Sequence, residues 1–248
     1  MPVKLIIADV DGCLSPEESV AWNLEAFADV ARELRNAAPP RRLTLCTGRP
    51  QPYVEVLMKL LDIRDPAICE NGAVYYTLHD NYARFCPGVT EEKILGLRAL
   101  RAFIETDILP KHPEAVMQFG KEAQMSIFSR QPDVFAGILE KIEAFLERNG
   151  GPDLLINTSH FYLNISLTGV DKGNALKHLL EMLGLEKSQV AGIGDTEGDL
   201  PLREQVGFFA CPANSREPIK KIADYVSPYP DIRGMVDILQ RPEMQPVG

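Results

Sequence analysis

The chain opens on a short apolar run, residues 3–8, interrupted only by Lys4, that delivers Asp9-Val10-Asp11-Gly12. A short run with no polar alternation fits a strand buried on both faces. Leu24, Phe27, Ala28, Ala31 and Leu34 then recur at helical spacing, and Pro39-Pro40 closes that segment. Residues 42–46 read as a second strand. Val54, Leu57, Met58 and Leu61 mark a second helix, and residues 67–69 a short third strand. Strands alternating with helices predict a parallel sheet with right-handed crossovers.

The period changes near Cys86-Pro87-Gly88. From there the pattern predicts a helix over 91–109, strands over 115–119 and 124–129, a helix over 132–148, and strands over 154–157 and 161–167. This is a helix–strand–strand unit twice over, without a visible sequence repeat. Along its last strand Phe161, Leu163, Ile165 and Leu167 alternate with His160, Tyr162, Asn164 and Ser166. Met125 and Ile127 alternate likewise with Gln124 and Ser126. The apolar sides are expected to pack on the two helices. Helix–strand alternation then resumes: Ala175, Leu176, Leu179, Leu180 and Leu183 line a helix ending at Gly184, followed by strands over 190–193, 207–210 and 225–226. A last helix is expected over 234–240 and a loose tail over 241–248. The expected fold class is therefore α/β. A Rossmann-like, doubly wound parallel core, residues 1–85 and 169–248, is interrupted by an inserted α+β domain, residues 86–168, with an antiparallel sheet and two helices.

Charge and cysteine usage narrow the function classes. The formal net charge is -9, and lysines and arginines adjoin only at Arg41-Arg42 and Lys220-Lys221, so a polynucleotide partner is disfavoured. No apolar stretch approaches the roughly 20 residues that span a bilayer, which argues against a membrane partner. The first apolar run breaks at an aspartate and reads as a strand rather than an export signal. Five cysteines with no CxxC pair read as reduced, buried thiols in a cytoplasmic protein, and argue against zinc.

In an open parallel sheet, ligands bind beyond the carboxyl ends of the strands, so the residues just after each core strand carry the chemistry. Asp9 and Asp11 follow the first strand. Two carboxylates so close at a buried strand end repel, and desolvating them is costly unless a cation or proton sits between them. Thr47, Gly48 and Arg49 follow the second strand: a hydroxyl, a residue permitting close backbone approach, and a cation. After the insert comes Asp171-Lys172-Gly173. Asp171 is expected to cap the next helix, and Lys172 in its first turn opposes the helix dipole but suits an anion. Gly194-Asp195-Thr196-Glu197-Gly198-Asp199 follows the strand over 190–193 with two more carboxylates. Singly, each of these is an ordinary turn or cap. Jointly, at successive strand ends, they suit phosphoryl transfer with a divalent metal.

These four segments, in order, resemble the four motifs of the haloacid dehalogenase (HAD) superfamily. The insert between the second and third resembles its type IIB cap. Glu70-Asn71-Gly72-Ala73 resembles the core-to-cap junction of Cof-type members and their sugar-phosphate phosphatase relatives. The resemblance implies a cytoplasmic phosphatase for a small phosphorylated metabolite, such as a sugar phosphate or a phosphoglycolate-like ester, with Mg2+ as cofactor and a monomeric or homodimeric state. It implies Asp9 as the nucleophile that becomes aspartyl-phosphate and Asp11 as acid and base. Thr47, Gly48 and Lys172 would hold the phosphate. Asp9, the backbone carbonyl of Asp11, Asp195 and Asp199 would hold the metal, Asp199 directly or at one remove. Arg49, Asn71, Tyr162 and Asn164 would contact substrate, the last two because the resemblance turns the polar side of the insert sheet toward the leaving group. Cys13 and Gly198 depart from the threonine or valine and the asparagine frequent at those places; neither removes a reacting group. A phosphomutase would share every motif, and a non-catalytic phosphometabolite-binding protein would not need Asp11.

Overall fold

The structure, a computed structural model, describes residues 3–16, 20–158 and 161–245. It divides into two compact units, Met1–Arg84 with Asp171–Gly248, and Phe85–Val170.

The first unit is built on a five-stranded parallel sheet of β1 (Leu5–Ala8), β2 (Leu43–Leu45), β10 (Val190–Ile193), β11 (Phe208–Cys211) and β12 (Tyr225–Val226), in the order β12-β11-β10-β1-β2. All four residues of β1 and of β10 are buried, as their apolar runs require. Helices α1 (Leu24–Arg35), α2 (Gln51–Leu61), α5 (Lys172–Leu183), α6 (Leu200–Arg203), α7 (Glu217–Ile222) and α8 (Asp231–Leu239) complete the unit. Asn23 caps α1 by accepting from Ala26 N, and Gly184 ends α5 in the left-handed region. The α2 face of Val54, Leu57, Met58 and Leu61 is buried as expected. On α1 the buried set is Ala26, Phe27, Val30 and Leu34, whereas Leu24, at the helix start, is 73% exposed and Ala28 also faces solvent. The bulkier Val30, which the periodic reading passed over, fixes the rotation of this helix.

The third strand, β3 (Ala67–Cys69), does not extend the parallel ladder. It pairs in parallel at one bridge, Cys46–Ile68, just past the end of β2, and starts a separate sheet with β4 (Val74–Thr77), antiparallel, and β5 (Tyr82–Phe85). Pro66 has no N–H to give, and the Thr44 hydroxyl donates to its carbonyl at 2.8 Å, so a side chain replaces the ladder there. The tail is also firmer than expected: Pro242–Met244 forms a 3-10 turn, Met244 is buried, and Arg41 donates to Met244 O (3.3 Å) and Gln245 Oε1 (2.9 Å). Residues 246–248 lie outside the described residues.

The second unit has α3 (Glu91–Phe103), continued by a π turn and a 3-10 turn to Lys111, then β6 (Ala115–Met117), β7 (Gln124–Ser129), α4 (Val134–Asn149), β8 (Leu154–Thr158) and β9 (Tyr162–Leu167). Its antiparallel sheet runs β6-β7-β9-β8, two hairpins joined along β7 and β9. Met125, Ile127, Leu163, Ile165 and Leu167 are buried, as are Ile94, Leu97 and Leu100 of α3 and Phe135, Ile138 and Ile142 of α4. Phe161 departs from the predicted alternation: it precedes β9, is 40% exposed, and lies against Phe128. His160, expected on the polar side, lies outside the described residues.

Candidate active site

Strand β1 hands over to the site through hydrogen bonds that leave its last residues no freedom. Asp9 N donates to Ile193 O (2.9 Å), which ties it to β10, and Val10 N donates to Asp9 Oδ1 (2.7 Å). The chain then tightens into a turn in which Cys13, Leu14 and Ser15 all donate to Val10 O, and Gly12 donates to Ser15 O. Gly12 sits at φ +73°, and a Cβ there would lie inside the Asp195 carboxylate. Only glycine lets these two segments come so close.

Lys172 opens α5 beneath this turn. Asp171 caps the helix as expected, accepting from Asn174 N at 2.8 Å. Lys172 Nζ lies 3.0 Å from Asp9 Oδ2 and 2.7 Å from Asp199 Oδ1. The other Asp199 oxygen accepts from Asp195 N (2.9 Å) and Thr196 N (3.2 Å), so the fully buried Asp199 anchors both the lysine and the turn carrying Asp195. Gly194 makes room for it, since a Cβ there would meet the Asp199 carboxylate.

Thr47 and Gly48 follow β2. Thr47 is fully buried; its hydroxyl accepts from Arg49 N (3.1 Å) and its carbonyl from Asn71 N (2.9 Å). The Asn71 amide packs against Gly48, where a Cβ would approach it to 3.0 Å. Arg49 grips Asp11 with a bidentate pair, Nε to Oδ2 at 2.8 Å and Nη2 to Oδ1 at 2.6 Å, and lies 4.9 Å from the centre of the Tyr53 ring. Asp11 and Arg49 are both partly exposed, unlike Asp9, Lys172, Asp195 and Asp199.

Asp9, Asp195 and Asp199 each offer a carboxylate oxygen, all within 4.8 Å of one another. Three buried carboxylates are gathered around the Lys172 ammonium, which touches two of them, in a medium that solvates negative charge poorly. Hard oxygen donors so gathered fit a small divalent cation such as Mg2+. The protonation behaviour reflects the same strain. Burial pushes the Asp9 carboxyl up to about 7; Lys172 opposes that rise and Asp199 adds to it. Burial also works against the Lys172 ammonium, but Asp199 and Asp9 outweigh it and hold its pKa well above the usual lysine range. Burial, then Asp195, Asp9 and Asp199, push the Cys13 thiol far up, so it stays a neutral thiol beside the acidic group. All five cysteines are free and buried, as expected.

A family profile described as haloacid dehalogenase-like hydrolase matches residues 6–96 and 114–239. The chain belongs to that family. A phosphoglycolate phosphatase of Archaeoglobus fulgidus is 30% identical over 238 residues, 96% of each chain. Another, of Thermoplasma volcanium, is 26% identical over 229 residues, 92% of each. Among solved structures, a Thermoplasma acidophilum protein matches with a TM-score of 0.72 at 24% identity, covering 97% of this chain and 98% of that one. A haloacid dehalogenase-like hydrolase from Bacteroides thetaiotaomicron gives 0.70 at 20% identity, covering 96% and 99%. These two likenesses establish the fold. The expectations of the α/β fold, the superfamily and a phosphatase all hold.

The site motifs therefore fall into three groups. The structure brings Asp9, Lys172, Asp195 and Asp199 into one buried cluster, with Asp11 of the loop after β1 paired to Arg49 of the loop after β2. It sets Thr47, Gly48 and Asn71 together at the end of β2. Tyr162 and Asn164 are half-buried in the second unit, on the side of the sheet where Ser126 donates to Asn164 Oδ1 (2.7 Å) and accepts from Lys121 Nζ (2.9 Å). Gln124 and Ser126 on that side are buried rather than open to water. Sequence reasoning missed the loop after β11, where Asn214 Nδ2 donates to Gly12 O at 2.9 Å. The strand-end rule that found the other motifs points to this loop too. In the described residues, no helix is long and apolar enough to cross a membrane.

Proposed function

We propose that this chain is a magnesium-dependent phosphomonoester hydrolase for a small phosphorylated metabolite, phosphoglycolate or a close relative, and that it works through an aspartyl-phosphate on Asp9. The observation that carries this reading is Lys172 Nζ held between Asp9 and Asp199, with Asp195 in the same cluster and Asp11 two residues from Asp9. The curated relatives named phosphoglycolate phosphatase, aligned over more than nine-tenths of the chain, support the substrate class.

In the first half-reaction Asp9 attacks phosphorus, the bond to the ester oxygen breaks, and Asp11 gives that oxygen a proton. In the second, Asp11 takes a proton from water as the water attacks the aspartyl-phosphate, which returns Asp9 as a carboxylate and frees phosphate. Lys172, Thr47 and the Gly48 backbone hold the phosphoryl oxygens where negative charge is spread in the transition state. Asp9, Asp195 and the Asp11 carbonyl would hold magnesium, which supplies positive charge against the carboxylates and the phosphate dianion. Asp199, with both oxygens in use, holds Lys172 and the Asp195 turn. Arg49, which here pairs with both Asp11 oxygens, must free one of them for those proton transfers, and its partly exposed side chain, with Asn71, offers contacts to the rest of the substrate. Tyr162 and Asn164 are proposed as further substrate contacts.

The test is phosphate release from a panel of phosphoglycolate, sugar phosphates and phosphorylated glycerates, with and without magnesium. We expect magnesium-dependent release with phosphoglycolate among the fastest esters. Release from none of them, or undiminished release in excess chelator, would overturn the reading.

A further inference from the structure

We infer that Asn214 is a positioning residue, which holds the catalytic turn in register by fixing the Gly12–Cys13 peptide; this rests on the reading of Asp9 and Asp11 given above. The turn over residues 9–15 satisfies its own donors inward. Cys13, Leu14 and Ser15 share Val10 O at 3.3, 2.8 and 2.8 Å, and Gly12 gives its N–H to Ser15 O at 2.7 Å. The Gly12 carbonyl points out of this ring, and Asn214 Nδ2 donates to it at 2.9 Å. The other end of the same amide is also fixed, because Asn214 Oδ1 accepts from Asp231 N at 2.7 Å, at the start of α8.

Asn214 is itself presented by a braced loop. Ala213 N donates to Tyr229 O (2.9 Å), Ser215 N to Pro212 O (3.1 Å) and Arg216 N to Asp195 O (2.9 Å). One short loop thus holds the carbonyl of Asp195 by its backbone and the carbonyl of Gly12 by a side chain. Those are the two segments that touch where Gly12 lacks a Cβ. A glycine at positive φ has a wide choice of backbone conformations, and within the turn the Gly12–Cys13 peptide is held only through its N–H, by the long 3.3 Å bond from Cys13 N to Val10 O. An amide anchored at both atoms holds its carbonyl. A shift of this turn displaces Asp11 from the leaving oxygen, and small misplacements of that kind are costly in rate.

The test uses the full chain and the neutral, near-isosteric variant Asn214→Leu. It measures kcat and KM on a generic aryl phosphate with magnesium, thermal stability, and backbone hydrogen exchange. Loss of one neutral hydrogen bond corresponds to a fall of about three- to tenfold in kcat, with KM changed less than about twofold. Exchange should quicken over residues 9–15. Restoring the amide and returning kcat in the reverted protein controls for preparation. If Asn214 serves only the start of α8, exchange quickens over 231–239 while kcat and residues 9–15 stay as in the wild type, and the inference is overturned. A fall in kcat with unchanged exchange over 9–15 overturns it as well. Should the wild type release no phosphate from any ester, the functional reading fails, and the exchange arm still decides whether Asn214 holds the turn.

Discussion

Lys172→Met is the substitution whose effect on stability is fixed most clearly by the charge arrangement. Methionine keeps much of the lysine stem's length and volume, so the change removes the ammonium more than the packing. Lys172 is almost wholly buried and touches two carboxylates, at 3.0 and 2.7 Å. Without it, Asp9 and Asp199 lose the ammonium that both of them touch, and they and Asp195 still offer carboxylate oxygens within 4.8 Å of one another. Breaking a buried ion pair by deleting one partner costs about 3–5 kcal/mol, because the charge left behind stays desolvated. For a chain of this length each kcal/mol lowers Tm by about 2–4 °C, so a fall of roughly 10 °C is expected. Asp9→Asn should behave in the opposite sense: it deletes one of three negative charges and leaves Lys172 with Asp199, so Tm should hold or rise. Both should lose activity, Lys172→Met by about 10²–10³ in kcat, the scale of removing one group that stabilises transition-state charge. Thermal melts in excess chelator separate the two, since a bound cation would otherwise add stability by mass action. Equal destabilisation by both variants, or a Lys172→Met protein as stable as the wild type, would refute the argument from excess negative charge.

Asp9→Asn should abolish turnover while the fold survives, whereas Asp11→Asn, partly exposed and outside the buried cluster, should lose about 10²–10⁴ in kcat at unchanged Tm; substantial phosphate release by purified Asp9→Asn would end the covalent mechanism. Excess chelator should silence the enzyme and magnesium restore it. Magnesium at about a hundred times its dissociation constant should also stabilise the fold by about 2.7 kcal/mol, and a melt insensitive to magnesium would count against the site. Alanine at Tyr162 or Asn164 should reorder the preferred esters with little effect on an aryl phosphate, and an unchanged ranking in both would remove them as substrate contacts.

The parallel core was legible because its strands are short apolar runs that end in charged or glycine-rich turns, a pattern that solvent-facing segments do not imitate. Burial of Leu5–Ala8 and Val190–Ile193 follows from composition alone. The errors fall where local pattern leaves a choice that tertiary contacts make. Residues 67–69 read as a further parallel strand; the parallel pairing is there but only at Cys46–Ile68, and periodicity could not show that the strand also turns to an antiparallel partner, β4. Leu24 read as core because it is apolar and in phase, but it sits at the helix start, ahead of the buried set that begins at Ala26. Phe161 read as the first residue of an alternating strand, and β9 starts one residue later. Asn214 carried no signal of its own: an Asn-Ser pair after a strand is ordinary turn chemistry until the fold sets it beside Gly12.

The glycines of the acidic motifs explain why the motifs belong together. The space a side chain would fill at Gly12 is taken by the carboxylate of Asp195, and the corresponding space at Gly194 by that of Asp199. Each glycine is therefore defined by an aspartate: Gly12 by one from a distant segment, and Gly194 by one five residues on. Removing the glycine would displace the carboxylate rather than merely strain the turn. The three aspartates of the cluster lie on two adjacent parallel strand ends, with β1 and β10 paired from Leu5–Val190 to Ala8–Ile193, so backbone hydrogen bonds fix their separation before any cation is present. The cost of gathering like charges is thus carried by sheet and core, and the site arrives at the substrate with its electrostatic field already set.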